Sequence, residues 1–157
     1  MKNPPVVATT QVRYQDLDPY GHVNNAVHLS YFETARLAYF EALAREAGIG
    51  TLEAGDLPGV RYVIAEATVR YRAPIFIDEP LLGAASIRTI GNRSFVMDYE
   101  LRSGETFEEG HLVTEGTSAQ VFYDIASHEV RPRPDWFLST VAALEDRSED
   151  SFASEGR

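Results

Sequence analysis

The chain has 157 residues, enough for one domain with a proper core, and 44% of them are hydrophobic against 24% charged, an ordinary globular balance. It contains no cysteine, which excludes disulfides, zinc–cysteine sites and a thiol nucleophile. Its net charge of −10 argues against nucleic acid as a partner, and no apolar run reaches membrane-spanning length, so a soluble cytoplasmic protein is expected.

Val6 to Tyr14 reads as a first strand, rich in β-branched residues. The loop Asp16-Leu17-Asp18-Pro19-Tyr20-Gly21 follows, then His22-Val23-Asn24-Asn25. From about Asn25 to Ala47 the spacing predicts a helix, with Leu29, Phe32, Tyr39, Phe40 and Leu43 on one side and Ser30, Thr34, Glu41 and Arg45 on a narrow polar arc. Gly48 and Gly50 end it, and Thr51 to Gly59 is a loop. Four strands are predicted next: Val60–Arg72, with Val63, Ala65, Ala67, Val69 and Tyr71 on one face, then Leu81–Ile90, Ser94–Arg102 and Leu112–Asp124. Pro132 and Pro134 precede a short amphipathic helix, Asp135–Leu144. A strand, a long helix and four strands joined mostly by tight turns make an α+β domain with antiparallel pairing, spanning residues 1–145. The remaining 146–157, with its acidic run, reads as a solvated, disordered tail.

The chemistry concentrates at the helix start. Asn is a preferred N-cap, so Asn24 or Asn25 opens the helix, and unpaired N–H groups at the positive end of its dipole suit a developing oxyanion. A carboxylate a few residues upstream is a base or a nucleophile for such a site. Asp16 fits a loop-bracing role, bonding nearby backbone N–H groups. His22 is close enough to tune Asp18. Glu33 and Arg36 fall in the apolar arc, where a salt bridge or an interface contact is expected. No Gly-x-Ser-x-Gly elbow, phosphate loop or calcium loop is present: Val27 stands where a calcium loop needs glutamate. No metal ligands and no cofactor are expected.

The run from Asp16 to Asn25, followed by Tyr31-Phe32-Glu33-Thr34-Ala35-Arg36, resembles the hot-dog-fold thioesterases, specifically the 4-hydroxybenzoyl-CoA thioesterase-like group. Val69-Arg70-Tyr71-Arg72-Ala73-Pro74-Ile75 and Gly91-Asn92-Arg93-Ser94-Phe95 fit as well, so the likeness covers roughly Val6 to Pro134. It implies a long helix wrapped by a five-stranded antiparallel sheet, a homodimer or homotetramer with sites at the dimer interface, and hydrolysis of an acyl-CoA thioester. The family's catalytic carboxylate maps onto Asp18 and its oxyanion donors onto backbone N–H groups near Asn24 and Asn25. By the same resemblance Arg93 and Ser94 meet coenzyme A, ahead of Arg70, Arg72, Arg131 and Arg133. Related chains often carry Tyr where His28 stands, a position that bears on the acyl pocket. A catalytically silent acyl-CoA or acyl-carrier-protein binding module is the alternative.

Overall fold

The computed structural model describes residues 1–49 and 61–153. The expected loop Thr51–Gly59, with Gly50 and Val60 beside it, lies outside the described residues. In chain order the main elements are β1 (Val7–Thr10), α1 (His28–Glu46), β2 (Tyr62–Tyr71), β3 (Leu81–Ile90), β4 (Ser94–Ser103), β5 (His111–Asp124), β6 (Glu129–Val130) and α2 (Asp135–Leu144). Short 3-10 turns span Tyr14–Asp16, Asn25–Val27 and Glu149–Phe152. The sheet is antiparallel with the order β1-β3-β4-β5-β2, and β6 pairs with β5. With one long helix and a short C-terminal helix, this is the hot-dog arrangement the resemblance implies.

The described chain divides into two compact units. The first holds Met1–Tyr39, Thr68–Ala85 and Tyr99–Gly116. Here β1 pairs with β3, Val7 opposite Ala84 and Thr10 opposite Leu81. The first half of α1 packs closely because two strand glycines make room. A β-carbon at Gly83 would lie 3.3 Å from the Ala35 methyl, and one at Gly116 would lie 2.6 Å from the Phe32 ring and 2.2 Å from the Thr68 carbonyl oxygen. Phe32 stacks on Tyr99, with ring centroids 4.8 Å apart. Arg36 is buried and donates to the Tyr99 hydroxyl at 3.4 Å and to Glu33 at 3.5 Å. The expected salt bridge therefore exists, but Glu33 itself is exposed.

The second unit holds Phe40–Ala67, Ser86–Asp98 and Thr117–Arg157. Its core is a ring cluster. Phe95 contacts Phe40, Tyr62, Phe122 and Phe137 at centroid distances of 5.2 to 6.1 Å. Helix α2 enters this cluster through Phe137, and its Val141 is fully buried as well.

Several expectations are corrected. Strand β1 stops at Thr10, and the chain turns at Tyr14–Asp16, where Asp16 N–H donates to the Arg13 carbonyl at 2.9 Å and Arg13 N–H donates to Asp16 Oδ2 at 3.0 Å. Leu29 is not on the buried face of α1; it is 46% exposed, as is Leu37. The face of β2 that carries Val63, Ala65, Ala67, Val69 and Tyr71 is largely exposed: of the five only Val69 is even half-buried. The reason is topological, since β2 ends the strand order. Finally, 146–153 is not a disordered tail. Phe152 is fully buried, the Arg147 guanidinium lies 3.9 Å over its ring, and Arg147 also donates to the Ile87 carbonyl at 2.8 Å.

Candidate active site

The loop before α1 is a small hairpin. Leu17 and Val23 face each other in a bridge, and Asp18 N–H donates to the His22 carbonyl. Asp18, Pro19, Tyr20 and Gly21 form a β-turn closed by Gly21 N–H on the Asp18 carbonyl at 3.0 Å. Pro19 presets the second position, and Gly21 has φ +84°, which favours glycine.

The two aspartates have separate environments. Asp16 is buried and accepts four hydrogen bonds, from Arg13 N–H, Nε and Nη2 and from the Tyr31 hydroxyl at 2.9 Å. Chiefly the Arg13 hydrogen bond holds its carboxyl below the usual carboxylate range. Burial, and then the Asp16 carboxylate, push the Tyr31 phenol well above its usual range. Asp16 is a brace, as its loop position suggests. Asp18 takes one backbone donor, Tyr20 N–H on Oδ1 at 2.8 Å, and His22 Nδ1 lies 3.4 Å from Oδ2. Its side chain is 15% exposed, so water reaches it.

Asp18 lines a cavity of about 550 Å³ with Tyr20, His22, Val23, Asn25, His28, Tyr71, Arg72, Ala73 and Pro74. Four predicted site residues therefore meet there: Asp18, His22, Asn25 and His28. His28 is buried, with Nδ1 2.8 Å from Thr114 Oγ1. Burial holds its imidazole below the ordinary value, against a backbone hydrogen bond at Val23 that favours the proton.

The backbone donors at the helix start sort themselves. Val23 N–H donates to the Ile75 carbonyl, Asn24 N–H to the Asp16 carbonyl, and Val27 N–H to the Asn24 carbonyl. Ala26 N–H donates to the Asn24 side chain, which caps the 3-10 turn. From Val23 to Val27, the Asn25 N–H alone has no acceptor among the described residues. The expectation of a donor at Asn24 is thus corrected: its N–H is occupied at 2.8 Å.

Arg93 and Ser94 are not among the cavity residues. They sit exposed at the turn from β3 to β4, in the second unit. Arg70 and Arg72 both hold Glu115, and Arg131 holds Asp124 and Glu129. No group of three or more metal-ligating side chains occurs among the described residues. Nor is any helix there long and apolar enough to cross a membrane.

Residues 12–141 match the thioesterase-like superfamily. The chain belongs to that family. A thioesterase from Thermus thermophilus, solved with coenzyme A and zinc, is 30% identical with a TM-score of 0.75, covering 94% of this chain and 100% of its own. The PA2801 protein of Pseudomonas aeruginosa is 26% identical, with a TM-score of 0.70 over 87% of this chain and 97% of its own. A 1,4-dihydroxy-2-naphthoyl-CoA thioesterase from Synechocystis, 21% identical, shares the fold with a TM-score of 0.69 over 90% of this chain and 98% of its own. A search of curated protein sequences returned no match. The protein is a thioester hydrolase.

In this hydrolase sequence reasoning missed two cavity contacts. Tyr71 closes on the motif, its hydroxyl donating to the Asn25 carbonyl at 3.0 Å and its ring meeting His28 edge-on at 4.9 Å. Thr114 holds His28 from 86 residues away. The alternation of β2 placed Tyr71 on a strand face, but no local signal aims it at the loop.

Proposed function

We propose that the protein hydrolyses acyl-CoA thioesters, with Asp18 as the reacting carboxylate and the Asn25 N–H as the oxyanion donor. The observation that carries this reading is the meeting, in one cavity, of a water-accessible carboxylate and Asn25, whose N–H has no acceptor among the described residues. A thioester carbonyl is already activated, because thiolate leaves readily. Asp18 either takes a proton from water as hydroxide adds to the carbonyl carbon, or adds itself to give an anhydride that water opens. Both routes release the free acid and the thiol of CoA, and both pass through an oxyanion. The Asn25 N–H offers that oxyanion a donor at the positive end of the turn leading into α1. His22 Nδ1, 3.4 Å from Oδ2, is placed to orient the carboxylate.

The acyl-CoA assignment is supported by the Thermus thermophilus relative, whose structure holds coenzyme A. Arg93, whose guanidinium has no carboxylate partner among the described residues, is assigned with Ser94 to the charged end of CoA. A second copy across the exposed end strand β2 makes a homodimer, singly or within a tetramer. The absence of cysteine fits a cytoplasmic site of action.

The test is free-thiol release from a panel of acyl-CoAs, comparing the natural protein with Asp18→Asn. Asparagine keeps the acceptor for Tyr20 N–H but is a poor base and nucleophile. Loss of at least about two orders of magnitude in a folded variant supports the reading. Equal activity of both proteins removes Asp18 from the mechanism. Acyl-CoA binding without turnover by either makes the chain a silent binding module.

A further inference from the structure

We propose that Tyr71 is a positioning residue for thioester hydrolysis, aiming the Asn25 N–H through its hydroxyl bond to the Asn25 carbonyl; this rests on the oxyanion reading above.

The argument is one of peptide planes. The Asn25 N–H shares a rigid trans peptide with the Asn24 carbonyl, and that carbonyl accepts Val27 N–H at 2.9 Å. The next peptide begins at the Asn25 carbonyl, which Tyr71 holds at 3.0 Å. The two planes hinge on the Asn25 α-carbon. With a plane held on each side, the two soft dihedrals between them have little freedom, and the direction of the N–H is set. Local structure adds one bond to that second plane, Ala26 N–H to Asn24 Oδ1 at 2.9 Å, and on its own it is a weak constraint. The 3-10 turn has three residues, Asn25–Val27, and 3-10 hydrogen-bond geometry is poor.

Tyr71 is well placed to supply the missing rigidity. It ends β2, and immediately after it Arg72 N–H and Ala73 N–H both donate to the Val113 carbonyl, at 2.8 and 3.1 Å. That doubled bond ties the end of β2 to β5. The next residue of β5 is Thr114, which holds His28, and the His28 ring meets the edge of Tyr71. The start of α1 is therefore gripped at Asn25 and at His28 by two strand residues that are themselves tied together. Tyr71 is half exposed, so burial of its ring does not account for the position of its hydroxyl.

Tyr71→Phe keeps the ring against His28 and removes only the hydroxyl. It is combined with Asn25→Pro, which deletes the N–H that Tyr71 is inferred to aim. In thiol release by the full chain, Tyr71→Phe is expected to lower kcat about tenfold with KM changed by less than about threefold. In the Asn25→Pro background the same change is expected to cost less than about twofold, since nothing remains to be aimed. Three results overturn the proposal: no fall in kcat for Tyr71→Phe, an effect confined to KM, or an equal loss in both backgrounds. If Asn25→Pro alone leaves kcat intact, the oxyanion reading falls and takes this proposal with it. That measurement involves no change at Tyr71, so the two failures are told apart.

Discussion

Asn25→Pro is the sharpest probe of the site, because it removes one hydrogen-bond donor from the backbone. Proline lacks an N–H, and the N–H deleted here has no partner among the described residues. Asn25 is the first residue of its turn, the position where proline is best tolerated. The preceding residue must be extended, and Asn24 already is, with φ −59° and ψ 136°. The Asn25 carbonyl survives, so the bond from Tyr71 is kept. Stability is therefore expected to change by no more than about 0.5 kcal/mol. Catalysis is expected to fall much further: removal of an oxyanion donor costs about 3 kcal/mol in the barrier, roughly 10²–10³ in kcat. The assay is thiol release at saturating acyl-CoA, with thermal melting as the check on folding. Asn25→Ala is measured alongside; it loses the side chain and keeps the N–H, so the ratio of the two variants isolates the donor. If melting is preserved and Asn25→Pro stays within about threefold of Asn25→Ala, the reasoning is refuted. The donor then lies elsewhere, and His22 N–H is the next to test.

Two further predictions concern the scaffold. Gly116→Ala places a methyl 2.2 Å from the Thr68 carbonyl oxygen and 2.6 Å from the Phe32 ring, so the strand or the helix has to shift. Destabilisation of about 3 kcal/mol, read as a fall in melting temperature of roughly 10 °C, is expected, and an unchanged melting temperature contradicts the packing described. Asp16→Asn weakens the hydrogen bonds from Arg13 and Tyr31, for an expected loss of roughly 1–3 kcal/mol at neutral pH in denaturant unfolding. Because the Asp16 carboxyl is held below its unfolded value, its stabilisation is full above about pH 4 and disappears as pH falls through that range. The gap between natural and variant proteins is therefore expected to narrow on acidification; a gap that stays constant to pH 2 contradicts the assignment.

What was legible in the sequence was what period and punctuation carry. The bounds of β3 and α2 were read correctly, because Gly91-Asn92 and Pro134 mark sharp ends. The placement of Asp18, His22, Asn25 and His28 around one cavity followed from a contiguous motif. Most of the errors share a cause: they depended on partners brought close by the fold. The alternation of β2 groups five residues on one face, but whether that face is covered depends on where the strand lies in the sheet, which topology sets. Tyr71 and Thr114 reach the motif from 46 and 86 residues away. Phe152 lies in a charged stretch that composition marks as solvated, and its burial depends on Arg147 anchoring to Ile87. The occupied N–H of Asn24 was hidden because its acceptor is a backbone carbonyl, and any residue at position 16 supplies one.

The unequal bonding of Asp16 and Asp18 sets how this protein fails. Two residues apart, one carboxylate ties Arg13 and Tyr31 together, whereas the other accepts a single local backbone bond and otherwise faces His22 and water. Damage at the first is structural and is felt by the whole loop. Damage at the second leaves the hairpin, the cap and the cavity walls standing. With Asp18 as the proposed reacting carboxylate, a change there alone is expected to leave a folded chain that still binds its ligand. On that mechanism, a single side chain separates an enzyme from a binding protein.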